Sequence, residues 1–178
     1  HMFCPVTIGG GVRTVEDVGE LLRAGADKVA ICSGAYDYPG LVEHAAEKYG
    51  RQAIVGSVDA FDNGTMALGC GARGGVIGAV DWATFLARKG AGEILLTSIS
   101  RDGTRAGYDL PLIRDVAKAV SVPVIACGGA GTYQHMAEAF AAGAHAVAAG
   151  AMWAFSEQTP LEAARYLAAA GYPMRLSA

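Results

Sequence analysis

The feature that most narrows what this chain can fold into is a repeat inside it. The segment PVTIGGGVRTVEDVGELLRAGADKVAI begins at Pro5, and PVIACGGAGTYQHMAEAFAAGAHAVAA begins at Pro123, a constant offset of 118 residues. Pro5 aligns with Pro123, Gly10 with Gly128, Gly11 with Gly129 and Thr14 with Thr132. Ala24-Gly25-Ala26 aligns in the same way with Ala142-Gly143-Ala144. Each copy reads as an apolar strand, a glycine turn, a helix opened by a threonine N-cap, and a glycine stop. Self-similarity at a fixed spacing outranks any single local signal.

The residues between the copies follow the same plan. Strands are expected at PVTIG (5–9), KVAIC (28–32), AIVGSVD (53–59), EILLTS (93–98), PVIAC (123–127) and AVAAG (146–150). Their apolar runs are nearly continuous, as in parallel strands covered on both faces. Helical patterns follow them: VEDVGELLRAG, LVEHAAEKYG, VDWATFLARKG, PLIRDVAKAV, YQHMAEAFAAG and PLEAARYLAAAG. Alternation of this kind predicts an α/β chain with a parallel sheet and right-handed crossovers. The stretch FDNGTMALGCGARGGVIG (61–78) breaks the rhythm. Its Asn63-Gly64 pair is a hairpin signal, which predicts a small β-excursion with a mobile, glycine-rich loop. Such a loop serves as a lid or is a tolerated surface insertion.

The six strand–helix units carry the repeat in units one and two, then five and six, so the period is four units. Units three and four have no counterparts, because only four residues precede Pro5. Two full periods would be eight units, the number that closes a (β/α)8 barrel. The expectation is one partial-barrel domain over 3–178, with His1-Met2 read as a cloning scar. Such a sheet leaves edges that ask for a partner, so a homo-oligomer joined through the open barrel edges is expected.

Bulk properties exclude several classes. A formal net charge of −3 offers no basic surface for nucleic acid. No apolar run approaches the roughly 20 residues that span a membrane, and no signal peptide is visible. Cys4, Cys32, Cys70 and Cys127 form no CxxC pair and no ligand-like cluster with His44, His135 or His145. Reduced thiols, no metal and a cytoplasmic location are the expectation.

Sites on such a sheet sit at the C-terminal ends of the strands. Gly10-Gly11 and Gly128-Gly129 occupy that end, where backbone N–H groups and a following helix N-terminus suit an anion. Two repeat-related loops fit a ligand with a phosphate at each end, although glycines also serve plain tight turns. Asp59 ends the third strand and can act in acid–base chemistry, or it can simply cap a loop amide. Thr97 and Ser98 are candidate lining hydroxyls or ordinary strand residues. Lys28 and Glu93 start strands, where charges are often only solvated.

TIGGGVRT, LLRAGADKV, SVDA, GAGEILLTSISRDGTRAGYDL, PVIACGGAG and GYPMRL together resemble the cyclase subunit of imidazole glycerol phosphate synthase, over Pro5 to about Leu176. The resemblance implies a chain that begins at the family's third strand. It implies ammonia delivered by a glutaminase partner and no metal or organic cofactor. It implies a phosphorylated, bis-phosphate substrate, cyclised and split into imidazole glycerol phosphate and an aminoimidazole carboxamide ribotide. By the same resemblance Asp102, Gly103, Thr104, Gly128 and Gly129, closed by Gly150 and Ala151, hold one phosphate and the adjacent sugar. Gly10, Gly11, Cys32 and Ser33 hold the other. Asp59 matches one of two catalytic aspartates. Lys28 and Glu93 match members of a charged ring that gates ammonia. Two positions depart from the family pattern: Cys32 stands where Asn is usual, and Ser100 where Asp is usual. With one of the two aspartates, weak or absent turnover is expected. Related readings are an ammonia-supplying paralogue from surface-polysaccharide synthesis and a non-catalytic phosphate-binding or assembly protein.

Overall fold

Strand alternation decides the layout of this molecule, whose computed structural model describes residues 4–68 and 73–176. The strands are β1 (Thr7–Gly9), β2 (Lys28–Ile31), β3 (Ile54–Ala60), β4 (Thr65–Leu68), β5 (Arg73–Gly78), β6 (Glu93–Ser98), β7 (Val124–Cys127) and β8 (Ala146–Val147). The main path runs β1-β2-β3-β6-β7-β8, and every pair along it is parallel. These are the six strands expected from the apolar runs, and they form an incomplete (β/α)8 barrel. β1 and β8 end the path. β4 pairs antiparallel with β3 and with β5, which is the expected excursion. Asn63 makes its turn by accepting hydrogen bonds from the Thr65 amide at 3.1 Å and the Thr65 hydroxyl at 2.7 Å. The tip of the glycine-rich loop expected there, residues 69–72, lies outside the described residues.

All six expected helices form: α1 (Val15–Arg23), α3 (Leu41–Tyr49), α4 (Ala79–Arg88), α5 (Leu110–Ala119), α6 (Tyr133–Ala141) and α8 (Pro160–Ala169). The repeat survives in their caps. Thr14 accepts from the Asp17 amide at 3.1 Å while Asp17 accepts from the Thr14 amide at 2.9 Å. Thr132, its counterpart, accepts from the His135 amide at 3.3 Å. Gly25 and Gly143 stop the two helices, both at φ 110°, a conformation that costs other residues a steric penalty. Two short helices, α2 (Ser33–Asp37) and α7 (Ala151–Ala154), and a 3₁₀ turn at Arg51–Ala53 were not anticipated. They are too short to carry a periodic signal.

One face of the sheet is sealed by helices and the other is partly open. Along β6, Ile94, Leu96 and Ser98 are buried, while Glu93, Leu95 and Thr97 are half-exposed. β2 and β7 alternate in the same way. Ile54, Val58, Ile94 and Leu96 pack with Leu86 of α4 in one continuous core. Among the described residues no helix is long and apolar enough to cross a membrane.

The packing yields a contrast. Leu86 is fully buried, so Leu86→Ala should cost about 2–5 kcal/mol in urea unfolding. Val76 on β5 is 93% exposed, and Val76→Ala should change stability by no more than about 0.5 kcal/mol. Equal effects of the two would contradict this placement of the core.

Candidate functional site

Because side chains alternate along strands, register alone determines which of them share the open face. Ala30 pairs with Val55, Val55 with Glu93, Asp59 with Thr97, and Thr97 with Cys127. Asp59, Thr97 and Cys127 therefore stand on one face at the C-terminal ends of β3, β6 and β7. Cys32, which follows β2 directly, joins them. Its Sγ lies 3.8 Å from Asp59 Oδ2. The Thr97 hydroxyl, paired in register with Asp59, also favours its ionised carboxylate. Of the two candidate hydroxyls, only Thr97 belongs here. Ser98 points the opposite way, and its Oγ is buried without a hydrogen-bond partner.

Electrostatics in this group favour neutral forms. Burial pushes the Asp59 carboxyl above its ordinary value, and the negative charge of Asp102 adds to the rise. Hydrogen bonds from Cys32 and Thr97 oppose it. Burial, and then the Asp59 charge, push the Cys32 thiol up to about 11. Burial also raises Cys127. A carboxyl with its proton affinity lifted toward neutrality can both give and take a proton.

A cleft of about 290 Å³ opens beside this group. Gly10, Gly11, Cys32, Ser33 and Asp59 all line it, so the residues of one expected phosphate site and the candidate acid–base group share a single cavity. Gly10 and Gly11 take φ of 99° and 71°, and an added Cβ on either would meet open space. The loop has room for a ligand, and its glycines are required by backbone conformation alone. Arg13 and Asp37 also line the cleft and were missed. Arg13 carried a readable signal. A cation just ahead of a helix start opposes the helix dipole, so a role other than helix stabilisation could have been suspected.

The second expected phosphate site lies elsewhere on the same end of the sheet. Its loops are stitched together by hydrogen bonds. The Gly107 amide donates to Gly129 O at 2.7 Å, Tyr108 Oη to Ala148 O at 2.9 Å, and Arg105 Nη1 to Phe155 O at 3.2 Å. The loops bearing Asp102, Gly103 and Thr104, then Gly128 and Gly129, then Gly150 and Ala151 are thereby held side by side. A Cβ on Gly128 would sit 2.5 Å from Ser98 O, and one on Gly129 2.2 Å from Gly107 O. Here close loop packing already requires the glycines. Lys28 and Glu93 lie at the other end of the open face, where Lys28 Nζ and Glu93 Oε1 form an ion pair across β3. Among the described residues no group of three His, Cys, Asp or Glu side chains is placed to hold a metal ion. Cys4, Cys32 and Cys127 are free thiols.

Comparison with known proteins meets this geometry. The model of the histidine biosynthesis protein family matches residues 1–159. The imidazole glycerol phosphate synthase subunit HisF of Streptomyces coelicolor is 50% identical over 179 aligned residues, covering 98% of this chain and 71% of that protein. The chain belongs to this HisF-type histidine biosynthesis family. Within that family, the TIGGGVRT loop and the SVDA strand end of this chain converge on one cleft.

The charge balance around Asp59 sets a pH test. A carboxyl with a raised folded-state pKa holds its proton more tightly folded than unfolded, so ionising it destabilises the fold. Asp59→Asn removes that penalty. The variant should melt above the parent at neutral pH, and the gap should close as pH falls below the ordinary value of 3.8, where the carboxyl is protonated in both folded and unfolded chains. Equal melting temperatures at neutral pH would contradict it.

Proposed function

We propose that this chain is a HisF-type cyclase scaffold that binds a phosphorylated, bis-phosphate intermediate of histidine biosynthesis and uses Asp59 as its acid–base group. The observation that carries the reading is the shared cleft: the Gly10-Gly11 loop and Asp59 line one cavity at the C-terminal end of the sheet. One phosphate would lie against the amides of Gly10 and Gly11 and the start of α2 at Ser33, beside Cys32. The other would lie among Asp102, Gly103, Thr104, Gly128 and Gly129, with Gly150 and Ala151 at its border. A ligand stretched between these loops passes over Asp59 and Thr97. There a carboxyl with raised proton affinity can move a proton during ring closure.

The relative's name, a synthase subunit, supports a partner subunit, and the family resemblance implies that this partner is a glutaminase that supplies ammonia. Lys28 and Glu93, ion-paired at the far end of the same face, would stand where ammonia enters. Asp59 is the one catalytic aspartate these residues supply, so turnover by this chain alone should be weak or absent. The ends of the sheet path at β1 and β8 favour association of chains.

Ammonium-dependent turnover of the bis-phosphate substrate tests the reading directly. Any turnover should fall by about 10²–10⁴-fold in Asp59→Asn. No turnover, with inorganic phosphate still raising the melting temperature, would leave a non-catalytic phosphate-binding protein. Neither turnover nor a phosphate effect would overturn both. Light scattering should report an oligomer, and a monodisperse monomer would sink the association through sheet edges.

A further inference from the structure

The reading above sets Cys32 beside a phosphate and gives its side chain no part in proton transfer, yet it touches the one side chain that reading needs most. It leaves β2 at the N-cap of α2, with φ −115° and ψ −102°, so its direction is held by the strand behind it and the helix ahead. That direction brings Sγ to 3.8 Å from Asp59 Oδ2, inside sulfur hydrogen-bonding range, and puts both residues on the wall of one cleft. We propose that Cys32 is a positioning residue for Asp59: its thiol donates to Oδ2 and, with the Thr97 hydroxyl, aims the carboxyl into the cleft. The inference rests on the reading of Asp59 as the acid–base group.

The chemistry of the donor matters. A thiol is a weaker donor than a hydroxyl, so it orients the carboxylate and stabilises its charge less than a hydroxyl would. It also stays protonated, since burial and the Asp59 charge hold it near 11. The S–H is thus a donor throughout the range in which Asp59 ionises. The other groups around Asp59 are the Thr97 hydroxyl from β6, Asp102 from the loop after β6, Cys127 from β7, and Arg13 and Asp37, which line the same cleft. Ser57 of β3 and Ser33 of α2 bond Cys32 itself. Among these the thiol is the donor from the β2 side, and its strength controls how readily Asp59 keeps its proton. A hydroxyl at position 32 would make a shorter, stronger bond to the ionised carboxylate. A methyl would make none.

The experiment is a carboxyl ¹³C NMR titration of Asp59 in the ligand-free protein, assigned with Asp59→Asn and repeated in Cys32→Ser and Cys32→Ala. The midpoint should fall by roughly half a pH unit in Cys32→Ser and rise by a similar amount in Cys32→Ala. Midpoints that coincide in all three proteins, or a Cys32→Ser midpoint above the parent, would overturn the proposal. A merely structural Cys32 would change stability and leave the Asp59 midpoint where it is. If Cys32→Ala fails to fold, the parent against Cys32→Ser decides. The titration needs no substrate, so its outcome is separate from the proposed function. A shifted midpoint with neither turnover nor a phosphate effect on the melting temperature sinks only the proposed function, and turnover or phosphate binding with unmoved midpoints sinks only the role of Cys32.

Discussion

Parallel pairing of β2, β3, β6 and β7 is the constraint from which the rest of this molecule follows. The backbone hydrogen bonds fix register, and register fixes which side chains meet. A slip of one residue in β3 would carry Asp59 from the open face to the helix-covered face. It would also bring Val58 out of the core, where it is fully buried. The apolar alternation that seals Ile94, Leu96 and Val124 under the helices is therefore the same alternation that presents Thr97, Asp59 and Cys127 to the open side. Core and site are two faces of one pattern, and hydrophobic burial supplies the energy that holds the polar face in place.

The internal repeat shows how such a scaffold can vary its loops. Its two copies keep the cap threonine, the helix-stopping glycine and the left-handed double glycine. Their surroundings differ. The Gly10-Gly11 loop borders open space, whereas Gly128 and Gly129 are pressed against Ser98 and Gly107. The same local sequence thus provides an open loop in one half and a loop-packing joint in the other. Chemical difference between the halves comes from what the neighbouring loops do. In the second half the loop after β6, carrying Arg101, Arg105 and Tyr108, folds over the glycines and ties them to the segment after β8.

Much of this was legible in the sequence because it depends on short-range rules. The strand runs, the threonine caps, the glycine stops and the Asn63-Gly64 turn each act over a few residues, and each stands where its local signal puts it. The family was legible for the same reason, since its motifs sit at strand ends. What escaped notice depends on distance. The contact between Cys32 and Asp59 joins residues on different strands, and only register brings them within 3.8 Å. Arg13 and Asp37 reach the cleft through loop geometry that no periodicity encodes. Ser98 takes the second of the two readings open to it: it is one residue from Thr97, and strand alternation sends it into the core as an ordinary strand residue. α2 and α7, at five and four residues, are set by packing around them rather than by a pattern of their own.

The site also explains why a well-packed fold keeps a poorly satisfied carboxyl. Burial raises the cost of charge on Asp59, and the hydrogen bonds that offset it come from a thiol and a hydroxyl. An arginine or lysine at that distance would stabilise the fold and hold the carboxylate ionised, leaving it a weak base. The charge of Asp102 pushes in the same direction as burial. Lys28 and Glu93 show that the same face can accommodate a satisfied ion pair when it lies at the opposite end. The ion pair thus sits at one end of the open face, and the carboxyl whose proton affinity burial raises sits at the other.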